Sequence, residues 1–208
     1  MINKADPDSH PNFCYLRPPM RGKLIVITAP SGAGKTTIAR HLLVSIPGLA
    51  FSVSATTRRQ RKEEQEGKDY YFINEEEFKR RREAEAFIEW EEVYHGTYYG
   101  TLKEELDKLW SAGKDVLFDV DVHGAIRLQK KFPDNTLTIF IKPPEYETLV
   151  RRLHSRATEP PEKIEERIQK AANELKFESR FDVVIVNDDL NHAIIAAEAA
   201  VKKFLEIA

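Results

Sequence analysis

Residues 23–37 read KLIVITAPSGAGKTT. The first six, KLIVIT, form a continuous apolar run of the kind a strand shows when both of its faces are buried. Residues 29–37, APSGAGKTT, follow at once, and Ile38, Leu42 and Ile46 then recur at helical spacing. Strand, glycine loop, Lys-Thr and helix, in that order, make the context a phosphate-binding loop requires. Gly32 and Gly34 let the backbone turn its N–H groups inward, and the N-terminus of the next helix adds partial positive charge. In such a loop Lys35 reaches the β- and γ-phosphates, and the Thr36 hydroxyl is placed to ligate Mg²⁺. The candidate triphosphate site is therefore Ala29, Pro30, Ser31, Gly32, Ala33, Gly34, Lys35, Thr36 and Thr37. Its first position is alanine rather than glycine, so the chain must leave the strand with ordinary dihedral angles. A chance glycine turn before a lysine is the bland alternative, and the flanking strand and helix argue against it. The loop implies a nucleoside triphosphate and leaves the acceptor open.

The same rhythm recurs downstream. Residues 115–120 (DVLFDV), 136–141 (TLTIFI) and 182–186 (DVVIV) are further buried strand candidates. Ile164, Ile168, Ala171 and Leu175 form one helical stripe, and Leu190, Ile194, Ala197, Val201 and Leu205 form another. Apolar strands alternating with amphipathic helices predict an α/β fold whose parallel sheet is covered on both faces. Residues 52–101 break the rhythm. Residues 51–55, 69–73 and 87–93 are short strand candidates among dense polar groups. Asn74 with Glu77 reads as a helix start whose apolar face opens at Phe78. Thr101 with Glu104 reads as a capping box ahead of Leu102, Leu106 and Leu109, with Gly113 as the stop. An inserted subdomain is expected there.

The chain has 208 residues, enough for one domain with a full core. A formal net charge of −2 gives no global basic field for nucleic acid or an acidic membrane, so any anion site must be local. No apolar run approaches the roughly 20 residues needed to cross a bilayer. Residues 1–21 are polar and proline-dotted, without a signal-peptide apolar region. They read as a loose tail, with Met20 a candidate for the biological start. The single Cys14 excludes an intramolecular disulfide and a cysteine-rich metal cluster. His95, His123 and His154 share no metal-ligand spacing, so no zinc site is expected. The expected location is cytoplasmic.

Nine segments in order resemble the guanylate kinase family: APSGAGKTT, SVSATTRRQR, GKDYYF, FIEW, GTYYGT, DVDVHGA, FIKPP, RRLHSR and VIVNDDL. The resemblance runs over residues 23–208. It implies a three-layer P-loop fold with a parallel sheet core (22–51, 102–141 and 171–208). It also implies a small mixed α/β GMP-binding subdomain (52–101) and a helical lid (142–170). The implied reaction is Mg²⁺-dependent transfer of the ATP γ-phosphoryl group to GMP, with dGMP as a related acceptor. The resemblance implies that Arg58, Arg61, Tyr70 and Tyr99 hold the acceptor phosphate and that Ser54, Glu89, Thr101 and Asp121 read the guanine. Lys35, Arg152, Arg156 and Arg167 would surround the transferring group. The chain departs from the family pattern at Gln60, where proline is usual, at Glu63, where glycine is common, and at Ala157, where glycine is frequent. The oligomeric state stays open, a homodimer being one option.

The chemistry of these side chains supports the same assignment. A phosphate dianion needs fixed positive donors, which the planar fork of arginine supplies in pairs. Tyrosine hydroxyls add neutral donors. Guanine presents two donors side by side, N1–H and the exocyclic amine, and one carboxylate such as Glu89 can accept both, while Ser54 donates to the base oxygen. Adenine would set a lone pair against Glu89, and a site built for hydrogen bonds rejects such a mismatch. No general base is needed, since the attacking phosphate oxygen is already ionised. Asp119 closes the DVLFD run where P-loop proteins place a metal-associated carboxylate, so a water-mediated Mg²⁺ contact is expected there. Arg59 and the acidic run around Glu64 read as solvated surface. Tyr70 and Tyr71 face opposite ways by alternation, one to pack and one to bind. Thr101 can cap a helix and touch the base at once.

Two other readings compete. A P-loop kinase acting on a phosphorylated sugar would have no use for Glu89, Ser54 and Asp121 together. Guanylate-kinase-like modules that bind peptides without catalysis usually have an eroded loop, whereas Lys35 and Thr36 are present here.

Overall fold

The computed structural model describes residues 22–155 and 160–207. The tail with Met20, and the readings of Arg156 and Ala157, lie outside the described residues.

In chain order the first elements are β1 (Leu24–Thr28), α1 (Lys35–Ser45), β2 (Leu49–Phe51), β3 (Ser54–Thr56), β4 (Tyr70–Phe72), α2 (Glu75–Glu83), β5 (Phe87–Tyr94) and β6 (Thr97–Leu102). Then come α3 (Lys103–Ser111), β7 (Asp115–Asp119), α4 (Val122–Lys131), β8 (Thr136–Lys142), α5 (Tyr146–His154), α6 (Pro161–Leu175), β9 (Val183–Val186) and α7 (Leu190–Leu205).

The core is a five-stranded sheet in the order β2-β7-β1-β8-β9, and all its pairings are parallel. Central β1 is buried at every residue. Its alternate side chains serve two cores: Ile25 and Ile27 pack with α1 and α7, Leu24 and Val26 with α3 and α4. Each such side chain contributes about 1.5–3 kcal/mol by leaving water. A strand with two apolar faces reads as an unbroken apolar run, which is why KLIVIT could be recognised. The parallel arrangement brings the strand ends at Thr28 and Asp119 together, beside the glycine loop.

Residues 54–102 contain a second sheet, β4-β3-β6-β5, in which β3 pairs parallel to β4 and antiparallel to β6, and β6 antiparallel to β5. It has its own core of Ala55, Phe78, Phe87 and Leu102, with the rings of Phe78 and Phe87 stacked at 4.5 Å. Asn74 caps α2 as expected, accepting from the Glu77 N–H at 2.7 Å.

Three expectations need correction. Residues 51–55 do not make one strand: β2 ends at Phe51, β3 begins at Ser54, and the two belong to different sheets. Ser52 still donates its N–H to the Leu117 carbonyl of β7 at 2.9 Å, and the chain then crosses over at Val53. Strand β6 was not anticipated, because TYYGTL is polar and carries Gly100. A Cβ at Gly100 would lie 2.9 Å from both Phe87 and Trp90, so glycine is what allows β5 and β6 to close together. Thr101 does not cap α3, whose N-cap is Leu102 with no side-chain bond; its hydroxyl is used elsewhere.

Helices α5 and α6 pack through Leu149, Leu153, Ile168 and Ala171. No helix among the described residues is long and apolar enough to cross a membrane.

Candidate active site

Gly32 and Gly34 have φ of 91° and 95°, the left-handed region that side chains disfavour. Ala29 is not among the residues with positive φ, as its side chain requires. The loop is pinned from β9: Asn187 is buried and donates from Nδ2 to the Ala33 carbonyl at 2.7 Å. A Cβ at Gly34 would lie 2.4 Å from that same Nδ2, so the second glycine also makes room for the pin. Asn187 stands in the VIVNDDL segment, but nothing in its local pattern revealed this use.

Lys35 opens α1, donates from Nζ to the Val120 carbonyl at 3.1 Å, and pairs with Asp119 at the end of β7. Thr36 is exposed in the first turn. A cleft runs from this loop to the second sheet and is lined by Ala29 through Thr37, Ser54, Arg58, Arg61, Tyr70, Glu89, Tyr99, Asp119, Asp121 and Arg167. Most of the side chains singled out from sequence thus face one cavity. Thr101 and Arg152 do not line it. Arg156 lies outside the described residues.

On the far wall, Arg58 donates from Nε to the Tyr99 hydroxyl at 3.1 Å, and its guanidinium lies over the Tyr70 ring at 5.2 Å. Tyr70 faces the cleft; Tyr71 turns to the other side and donates its hydroxyl to Glu105 of α3 at 3.0 Å. One tyrosine packs and one faces the cavity, as alternation in β4 demands. Glu64 is the clear correction. It is not solvated surface: its side chain is 16% exposed, and it accepts from both terminal nitrogens of Arg58 at 2.9 and 2.8 Å.

Glu89 is buried on β5. Its Oε1 accepts from both the backbone N–H and the hydroxyl of Thr101, at 3.0 and 2.8 Å. Thr101 therefore orients Glu89 instead of capping α3. Asp121 caps α4, its Oδ1 accepting from Gly124 N–H at 2.8 Å, while its Oδ2 is buried without a partner among the described residues. Gly124 belongs to this arrangement too, since a Cβ there would sit 2.7 Å from Glu89 Oε2. Burial pushes the Glu89 carboxyl up to about 7 against the pull of the Thr101 hydrogen bond, and nearby Asp121 adds to the rise.

Helix α6 closes the third side. Arg167 donates to the Ser31 hydroxyl at 3.3 Å, and Lys170 donates to the Val93 carbonyl of β5 at 3.0 Å. Glu174 lines the same cleft, and burial pushes its carboxyl up to about 7 despite Lys170 and Lys35. Arg152, on α5, instead gives its guanidinium to the Asn187 carbonyl at 3.2 Å. Glu174 was missed although it falls three residues after Ala171, on the edge of the buried stripe, and that position was the available signal.

A profile of the guanylate kinase family spans residues 21–206. The chain belongs to the guanylate kinase family. A guanylate kinase of Bacteroides thetaiotaomicron is 47% identical over 194 residues, covering 93% of this chain and 95% of that protein. One of Chlorobium chlorochromatii is 47% identical over 184 residues, covering 88% and 96%. In three dimensions the chain is similar to the crystal structure of guanylate kinase from Anaplasma phagocytophilum, with a TM-score of 0.70 and 31% identity over 88% of this chain and 85% of that one. Membership in the guanylate kinase family and the three-layer α/β architecture agree with the order of segments read from the sequence.

Proposed function

We propose that this member of the guanylate kinase family transfers the γ-phosphoryl group of ATP to GMP, giving ADP and GDP. The observation that carries the reading is the composition of one cleft. A phosphate loop lies on one wall, an arginine–tyrosine cluster on the other, and two carboxylates, buried Glu89 and half-buried Asp121, between them.

ATP phosphates lie in the loop of residues 29–37, against its N–H groups and Lys35. The acceptor phosphate is held by Arg58, Arg61, Tyr70 and Tyr99. Guanine gives N1–H and its amine to Glu89 and Asp121, with Ser54 donating to the base oxygen and Thr101 acting through Glu89. Residues 52–101 make the acceptor subdomain and residues 142–170 the lid, with dGMP as a second acceptor. An oxygen of the GMP phosphate attacks the γ-phosphorus, and the bond to the ADP oxygen breaks. The protein's part is positioning and charge compensation, supplied by Lys35 and by Arg167 near Ser31. Arg152 would have to leave the Asn187 carbonyl to take part.

The donor set suits Mg²⁺. The Thr36 hydroxyl is exposed at the loop, and the Asp119 carboxylate ends the neighbouring strand. These are few, hard oxygen ligands for an ion that keeps several waters and binds phosphates. Among the described residues no group of three or more His, Cys, Asp and Glu forms a protein cage. When bound, the ion neutralises phosphate charge; Thr36 would hold it directly and Asp119 through water.

ADP formation from ATP and Mg²⁺, measured with GMP, dGMP, AMP, CMP and UMP in turn, tests the reading. Turnover with GMP and dGMP alone is expected. Absence of turnover with GMP refutes the proposal, and equal turnover with AMP refutes the guanine-reading role of Glu89.

A pH dependence follows from Glu89. With its carboxyl raised to about 7, it is mostly protonated below that pH and then offers a donor to a donor. Guanosine, which lacks the titrating phosphate, should bind roughly tenfold more tightly at about pH 8 than at about pH 6. Competition against GMP measures this, and a flat profile would mean that Glu89 stays ionised across this range or does not meet the base; a profile equally flat in Glu89→Gln with unchanged guanosine affinity would remove it from contact.

A further inference from the structure

We propose that Glu64 is a positioning residue for the acceptor phosphate: it fixes the Arg58 fork and the loop around it, so that GMP meets a cradle already formed. This rests on the reading of the cleft as a GMP site.

Glu64 closes the segment from Arg58 upon itself. Its two carboxylate oxygens take the two terminal nitrogens of Arg58, the bidentate pairing that sets a guanidinium plane most firmly. Oε2 also accepts from the Arg61 backbone N–H at 2.8 Å, and the Glu64 N–H donates to the Arg61 carbonyl at 3.1 Å. The Glu64 carbonyl accepts from the side chain of Gln60 at 2.5 Å. Gln60, where the family pattern has proline, thus supplies a tether in place of a stiff ring.

The consequence falls on Arg58. Its Nε is committed to Tyr99 and its terminal nitrogens to Glu64 and the Arg59 carbonyl, and its plane rests over Tyr70 and Phe72. One terminal hydrogen remains for a ligand among the described residues. Because the Tyr99 oxygen accepts from Arg58, the Tyr99 hydroxyl proton is left to donate. Glu64 therefore determines where Arg58 lies, and Arg58 determines the direction of the Tyr99 hydroxyl. The Arg58 guanidinium also holds the Glu64 carboxyl below its ordinary range, so the pair stays charged through neutral pH. A carboxylate that merely occupied the phosphate site until displaced would act in the opposite direction, and the experiment separates the two.

Glu64→Gln preserves shape, removes the charge, and sets an amide N–H against an arginine N–H. It should raise KM for GMP roughly tenfold or more, with kcat and KM for ATP within about threefold of the parent. Guanosine, without a phosphate, should bind as before, which a general loss of structure would not allow. Glu64→Asp, which keeps the carboxylate, should recover part of the GMP affinity; if the glutamine variant does not fold, the aspartate variant carries the same test with a smaller shift. An unchanged or lowered KM for GMP, or an equal loss of guanosine binding, overturns the proposal. Failure of the underlying reading shows differently, as a parent protein that does not phosphorylate GMP.

Discussion

Lys35→Met should lower kcat for GMP phosphorylation by about 10²–10⁴-fold while the protein stays folded. Lys35 stands in the first turn of α1, its Nζ between the Val120 carbonyl and the Asp119 carboxylate, with a side chain 20% exposed. From there it can follow the γ-phosphoryl group as charge shifts toward the leaving oxygen. Methionine keeps the aliphatic length and removes the charge, so the loss is concentrated in the transition state. Asp119 would also lose its partner and face the phosphates as an uncompensated anion, which moves the effect in the same direction. Steady-state kcat at saturating ATP and GMP, with a thermal melt as a check on folding, provides the measurement. Activity within tenfold of the parent would mean that Lys35 does not act on the transferring group.

Glu89→Gln should weaken GMP binding by about 1–3 kcal/mol, roughly 5- to 150-fold, and leave KM for ATP nearly unchanged. The structure dictates which way the new amide turns. Thr101 points two donors, its N–H and its hydroxyl, at Glu89 Oε1. The glutamine oxygen must therefore take that position, and its NH₂ group must face the cleft. Guanine would then meet a donor with its own donors. Flipping the amide would only move the clash to Thr101. An unchanged KM for GMP would show that the base does not reach Glu89.

The parts of this fold that could be read in advance are those fixed by local pattern. Strands β1, β7 and β8 stand out as buried apolar runs in a parallel sheet, and the phosphate loop as contiguous spacing between a strand and a helix; β9 reads as buried too, but it lies at the sheet edge with Val184 and Val186 exposed. What stayed hidden depends on partners distant in sequence or on balanced polar groups. Strand β6 reads as polar because Tyr99 faces the cleft and the Thr101 hydroxyl bonds to Glu89 of β5. The break between β2 and β3 occurs inside a run that looks continuous, since only the switch of sheets distinguishes Ser52 and Val53 from strand residues. Glu64 sits in a stretch as charged as any solvated loop, and its burial exists only because Arg58 folds back on it. Thr101 has the spacing of a helix cap, yet Glu89, twelve residues earlier in sequence, claims both of its donors. Arg152 is on the expected helix and turns toward Asn187.

The opposed tyrosines of β4 set a limit on how this protein can vary. Tyr70 looks into the cleft, and Tyr71 looks back to Glu105 on the helix behind the crossover at Val53, whose N–H also points at Glu105, at 3.5 Å. Inserting or deleting one residue between Gly67 and Tyr70 would exchange the two roles, because a strand alternates at every step. The cleft and the crossover would be disturbed by the same event. The number of residues between Gly67 and Tyr70 is therefore held from both sides, by the cleft in front and by Glu105 behind.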